Sequence, residues 1–154
     1  MDLFQSLVQR KYSQMLEQVV SAKGNLGIPR SQMPQIPSEK VPEFLDYLKG
    51  MGVVVRKESV ECGRLKGTQK EIDMDKVQSM IAKGNLSKGK PLIASSDDYI
   101  LDGHHRWAGM RSTDPKLHVD IYRVWIPIHA LLKYARNFQG VEFKAIGEQL
   151  VLTS

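Results

Sequence analysis

A single cysteine, Cys62, stands among 154 residues, which excludes an intrachain disulfide and any multi-cysteine zinc site and fits a reducing cytosol. No apolar run approaches the roughly 18 residues that span a bilayer, and Met1 to Arg10 lacks a basic-then-apolar leader pattern. A cytoplasmic protein with no membrane partner is expected. The chain is too short for two full domains. With 42% hydrophobic and 25% charged residues it has neither the composition of a disordered chain nor that of a collagen-like repeat or simple coiled coil. A large excess of one charge is also missing: 22 Lys and Arg against 17 Asp and Glu leave +5, a mild preference for an anionic partner such as a nucleotide or nucleic acid.

Asp2 and Gln5 have the spacing of an N-cap and its third-position partner, and Phe4, Leu7, Val8, Met15, Leu16, Val19 and Val20 recur at helical intervals. An amphipathic helix from about Leu3 to Ala22 is expected, stopped by Gly24 and Asn25. Prolines at 29, 34, 37 and 42 predict an extended tether, and hence a boundary near residue 40 between a helix with its tether (1–40) and a folded domain (41–154). Pro42 suits a first helical turn, and Phe44, Leu45 and Leu48 mark a short helix ending at Gly50 or Gly52. Val53 to Val60 reads as a strand. Asp73 reads as the N-cap of a helix carrying Val77, Met80 and Ile81 and closed by Gly84 and Asn85. Pro91 to Ala94 and Tyr99 to Leu101 are short apolar strands of a hairpin around Ser95 to Asp98. A helix from His104, a strand over Leu117 to Trp125 and a helix bearing Ile128, Leu131, Leu132 and Ala135 complete an α+β fold with a small mixed β-sheet.

The stretch Tyr99-Ile100-Leu101-Asp102-Gly103-His104-His105-Arg106-Trp107-Ala108 combines a strand, a tight turn and a helix start. The free N–H groups and positive dipole end of a helix attract anions, and Gly103 lets a phosphate approach the backbone. Arg106 can grip phosphate oxygens with paired hydrogen bonds, while His104 and His105 can donate hydrogen bonds or shuttle protons. A di- or triphosphate is the ligand this pattern asks for. Metal ligation fits less well, since neighbouring helical side chains diverge by roughly 100° and helical metal pairs prefer i, i+4 spacing. A purely structural cluster, with Arg106 paired to Asp102 or Asp98, is the competing reading.

Ile100 to Ala108 resembles the signature of the ParB/sulfiredoxin superfamily, and the similarity covers roughly Val53 to Phe143. In that superfamily the matching turn and helix start bind nucleotide phosphates, which implies nucleotide-binding roles for Asp102, Gly103, His104, His105 and Arg106. Partition proteins of the superfamily carry Gly-Glu-Arg-Arg and a downstream helix-turn-helix domain, and sulfiredoxin has a cysteine where His104 stands. The Asp-Gly-His-His-Arg version resembles instead the branch of archaeal free serine kinase and of bacteriophage ParB-like proteins. Leu65 to Asp73 is similar to the loop of the kinase branch whose glutamate activates a substrate hydroxyl. Glu71 is accordingly the candidate general base, with Thr68 and Gln69 lining the same pocket and His105 assisting.

The resemblance implies ATP, ADP or CTP with Mg2+ as ligands and phosphoryl hydrolysis or transfer as the reaction. Two alternatives stand beside it. One is a DNA-binding nuclease in which Glu71, His105 and a metal activate water. The other is a non-catalytic phage or virion-associated protein that keeps the fold and uses residues 2–42 to dock a protein partner or a second copy. Asp97 and Asp98 are candidates for Mg2+, although a turn selects aspartate in any case. The basic surplus concentrates in Arg64, Lys66 and Lys70 and in Lys83, Lys88 and Lys90, on either side of the Glu71 loop and its helix.

Overall fold

The computed structural model describes residues 25–69, 73–84, 86 and 89–143, without the side chains of Arg30 and Met74. The predicted helix at Leu3 to Ala22, Lys70, Glu71 and Lys88 lie outside the described residues. Among those described, four α-helices and four strands run in the order α1 (Val41–Gly50), β1 (Val55–Glu61), α2 (Met74–Lys83), β2 (Leu92–Ser95), β3 (Ile100–Asp102), α3 (His104–Thr113), β4 (His118–Val124) and α4 (Ile128–Asn137). The fold is mixed α+β, as the sequence predicts.

The strands form one sheet in the order β1-β4-β2-β3. β4 pairs antiparallel with β1 over its full length and parallel with β2, while β2 and β3 form the antiparallel hairpin. Alternation along the strands sends residues to two separate cores. Leu92, Ala94, Ile100, Val119 and Ile121 face Val77 of α2 and Trp107, Ala108 and Met110 of α3. Ile93, Leu101 and Val124 face Phe44, Leu45 and Leu48 of α1 and Ile128, Leu131, Leu132 and Ala135 of α4. The apolar stripes read from the sequence are thus the faces by which two helix pairs cover the two sides of one sheet.

The helix ends follow from local chemistry. Asp73 Oδ1 accepts from Lys76 N–H at 3.2 Å at the start of α2, and Gly84 takes the left-handed conformation at its end, with φ 71°. Pro127 leaves α4 without a cap of its own, and Asp97, from the hairpin turn, supplies one by accepting from Ile128 N–H at 3.0 Å. Asp98 holds Arg123 at 2.6 Å, and Arg123 also binds Glu58 at 3.2 Å and Ser95 O at 2.8 Å. That buried guanidinium is paired with two carboxylates and a carbonyl, as a charge beside a sheet must be. Both turn aspartates therefore have structural partners.

The proline-rich stretch is not a free tether. Leu26 N–H donates to Gly67 O at 3.1 Å and Ile28 N–H to Thr68 O at 2.9 Å, and Gln35 exchanges two backbone bonds with Glu142. Met33 and Ile36 are buried in the same core as Phe44. Residues 25–40 belong to the packed body, so the expected boundary at residue 40 does not separate two units. The prolines keep a continuous α-helix out of this stretch, which forms 3-10 turns at Arg30–Gln32 and Ser38–Lys40, but leave its apolar side chains free to pack.

Candidate functional site

A cavity of about 480 Å3 opens where α3 begins. Its lining combines the end of β3 and the α3 start (Leu101 to Arg106) with Gln69, Lys76, Lys90, Leu92 and Tyr122. The motif predicted from sequence is therefore gathered on one wall. Gly103 is the residue that makes the turn: its φ is +89°, and a Cβ there would collide with Leu92 Cδ2. The first helical bond of α3 runs from Trp107 N–H to Gly103 O, so the N–H groups of His104, His105 and Arg106 have no acceptor within the helix. Unlike α2, this helix has neither a side-chain cap nor an acidic residue in its first turn.

Arg106 lies along the cavity wall. One of its Nη groups donates to Lys90 O, and its Nε is buried without a partner. It forms no ion pair with Asp98, which holds Arg123. Burial makes the Arg106 charge costlier, partly offset by Asp102. Burial likewise pushes the Asp102 carboxyl above its usual range, opposed by Gly103 N–H and by the charges of Arg106 and Lys76. An acid and three cations, Lys76, Lys90 and Arg106, thus share the cavity wall.

The two histidines do something the sequence reading did not foresee. His104 Nε2 accepts from the backbone N–H of Gln69 at 3.3 Å, and His105 Nε2 accepts from that of Asp73 at 2.9 Å. Consecutive imidazoles on α3 therefore hold the two ends of the segment that carries Glu71. Divergent helical side chains, which argue against a shared metal, are what allow one helix turn to reach two separated backbone groups. His104 is 5% exposed, its ring meets Trp107 edge-on at 5.2 Å, and burial first and His105 second push its pKa down to about 3. A neutral ring accepting through Nε2 carries its proton on Nδ1, and that atom is buried with no partner.

Gln69 lines the cavity, but Thr68 does not: it is fully buried and its hydroxyl donates to Ile100 O at 2.6 Å. This hydrogen bond, with those of Lys66 to Asp98 O and of Ile100 to Lys66 O, fastens the loop beside β3. Gly67 permits the close fit, because a Cβ there would sit 2.6 Å from Asn25 Nδ2 and 3.1 Å from His104 Nε2. Trp107 donates from Nε1 to Cys62 O at 2.8 Å and is wholly buried, so it anchors the helix rather than presenting a face to a ligand.

Of the basic residues singled out from sequence, Lys90 reaches the cavity, where its Nζ also donates to Ser38 Oγ at 2.9 Å. Lys66 lies over the Tyr99 ring, 5.1 Å from its centroid. Lys76 and Tyr122 are lining residues that sequence reasoning missed, and nothing in their local pattern marks them: Lys76 reads as the exposed face of a helix and Tyr122 as a sheet residue. Among the described residues no three His, Cys, Asp or Glu side chains cluster closely enough to hold a metal ion.

No family model matches the chain. It is 26% identical over 144 residues to an uncharacterized protein of Methanocaldococcus jannaschii, a match that takes in 88% of this chain and 54% of that protein. The chain thus spans about half the length of that curated relative. No solved structure matches. No helix among the described residues is long and apolar enough to cross a membrane.

Proposed function

We propose that this protein binds a nucleoside di- or triphosphate in the cavity at the start of α3 and hydrolyses or transfers a phosphoryl group. The observation that carries this reading is the combination, in one cavity, of an uncapped helix start, a left-handed Gly103 and the side chains of Lys76, Lys90 and Arg106. Three cations line the cavity at a helix start whose first N–H groups have no acceptor within the helix itself, so a phosphate would find both charge and the positive end of the helix dipole. Arg106 Nε, buried without a partner, is a donor that a phosphate oxygen would satisfy. Apolar lining from Leu92, Leu101, Met80 and Tyr122 suits the less polar part of a nucleotide.

Glu71, on the segment whose ends the two histidines hold, is the proposed proton acceptor for the attacking hydroxyl or water. In this reading His104 and His105 act chiefly as positioning residues, since their Nε2 atoms are engaged with Gln69 and Asp73. The same engagement disfavours the nuclease alternative, in which His105 would share a metal with Glu71. Mg2+, if used, would enter on the phosphates, where it neutralises charge on the transferred group.

Calorimetric titration of the full chain with ATP, ADP and CTP in the presence of Mg2+ tests the proposal. Binding of at least one nucleotide is expected, weakened about tenfold or more by Arg106→Ala, as loss of a charge-assisted hydrogen bond requires. Absence of binding to all three, or Arg106→Ala with unchanged affinity, would overturn it.

A further inference from the structure

The two margins of the sheet are unlike. Beyond β3 the backbone is covered by residues 66–69 and then by 26–28, through the bonds already described. Beyond β1 no described residue pairs with the strand on the side away from β4. Which groups of β1 face outward follows from its register. Trp125 N–H donates to Val54 O at 2.9 Å and Cys62 N–H to Leu117 O at 2.7 Å, one bond at each end of the β1–β4 ladder and both in its register. Hydrogen-bonded residues alternate along an antiparallel pair, so Arg56, Glu58 and Val60 bond β4, while Val55, Lys57, Ser59 and Glu61 turn their N–H and C=O groups outward. Lys57, Ser59 and Glu61 are exposed.

We infer that this edge pairs antiparallel with β1 of a second copy, centred on Ser59. A two-fold axis places one residue opposite itself and its neighbours opposite one another in mirror order. Centring on Lys57 or Glu58 sets that charge against its own copy. Centring on Val60 shortens the ladder and opposes no charges of unlike sign. Centring on Ser59 brings Lys57 opposite Glu61 twice, opposes no like charges within the strands, and uses the outward N–H and C=O groups of Lys57, Ser59 and Glu61. Cross-strand pairs of opposite charge stabilise such a ladder and like pairs weaken it. The charges that would shield this edge from other strands are thus complementary to themselves in one register. No residue of β1 lines the cavity, so the dimer and the nucleotide site stand or fall separately.

Sedimentation equilibrium of the full chain, with circular dichroism as a folding control, tests the inference. A dimer is expected for the natural sequence, with Lys57→Glu weakening it about tenfold or more and the charge exchange Lys57→Glu with Glu61→Lys restoring it. Ser59→Pro should also abolish the dimer without unfolding the chain, because the N–H it removes is one that β4 does not use. A monomer at all concentrations, a dimer indifferent to Lys57→Glu, or a folded exchange variant that remains monomeric would each overturn the pairing.

Discussion

Acidification should destabilise this protein through His104. Its imidazole is buried and neutral in the folded state, with a pKa pushed down to about 3, whereas in the unfolded chain it titrates near 6.5. Between those values the unfolded chain binds a proton that the folded chain excludes. Its contribution to stability is therefore complete above pH 6.5, declines as pH falls through the window and stops declining below about 3. Each pH unit within the window removes about 1.4 kcal/mol, so going from neutrality to about pH 4.5 removes about 2 to 3 kcal/mol. Asp102 acts in the opposite sense, because burial raises its folded pKa and so favours the folded state as pH falls. Comparison with His104→Gln separates the two: glutamine does not titrate, offers an acceptor to Gln69 N–H and leaves Asp102 in place. Urea unfolding of both proteins across this range should show their stability difference changing by about 2 to 3 kcal/mol, a midpoint shift of about 1 M or more at ordinary m-values. Parallel pH profiles for the two proteins would refute the burial of a neutral ring at this position.

Gly103→Ala should lower stability by about 1 to 3 kcal/mol, because alanine must adopt a φ of +89° and place its Cβ against Leu92. Scanning calorimetry checks this, and an unchanged Tm would contradict the turn geometry. Thr68→Val should cost about 1 kcal/mol through the lost bond to Ile100 O, yet leave nucleotide affinity unaltered in the folded protein. Lost affinity without lost stability would instead return Thr68 to the binding surface.

Period and capping made much of the fold legible. Val77 with Met80 and Ile81, or Ile128 with Leu131, Leu132 and Ala135, declare their helices because the apolar spacing that buries them is local. Asp73 and Gly84 mark helix ends because capping uses atoms only a few residues apart. The proposed anion site of the α3 motif could be read for the same reason: turn, helix start and Arg106 are contiguous. What stayed hidden depends on contacts between distant residues. Proline spacing says that residues 25–40 form no continuous α-helix but does not say that Met33 and Ile36 enter a core. The motif names two histidines without revealing that Gln69 and Asp73 are their partners. Lys76 and Tyr122 reach the cavity only because α2 and β4 pack where they do, which no window of sequence encodes.

The segment from Leu26 to Gln35 has a consequence for the order of folding. Its backbone bonds reach Gly67 and Thr68 at one end and Glu142 at the other, so it ties together parts of the chain that are far apart in sequence. Loops of that length close late, after hairpins and neighbouring helices have formed, because their entropy must be overcome before the contacts reward it. The same stretch lies over Gly67 and, through Gln35, contributes to the wall of the cavity. The site should accordingly be among the last parts of the molecule to take shape during refolding and among the first to open as it unfolds.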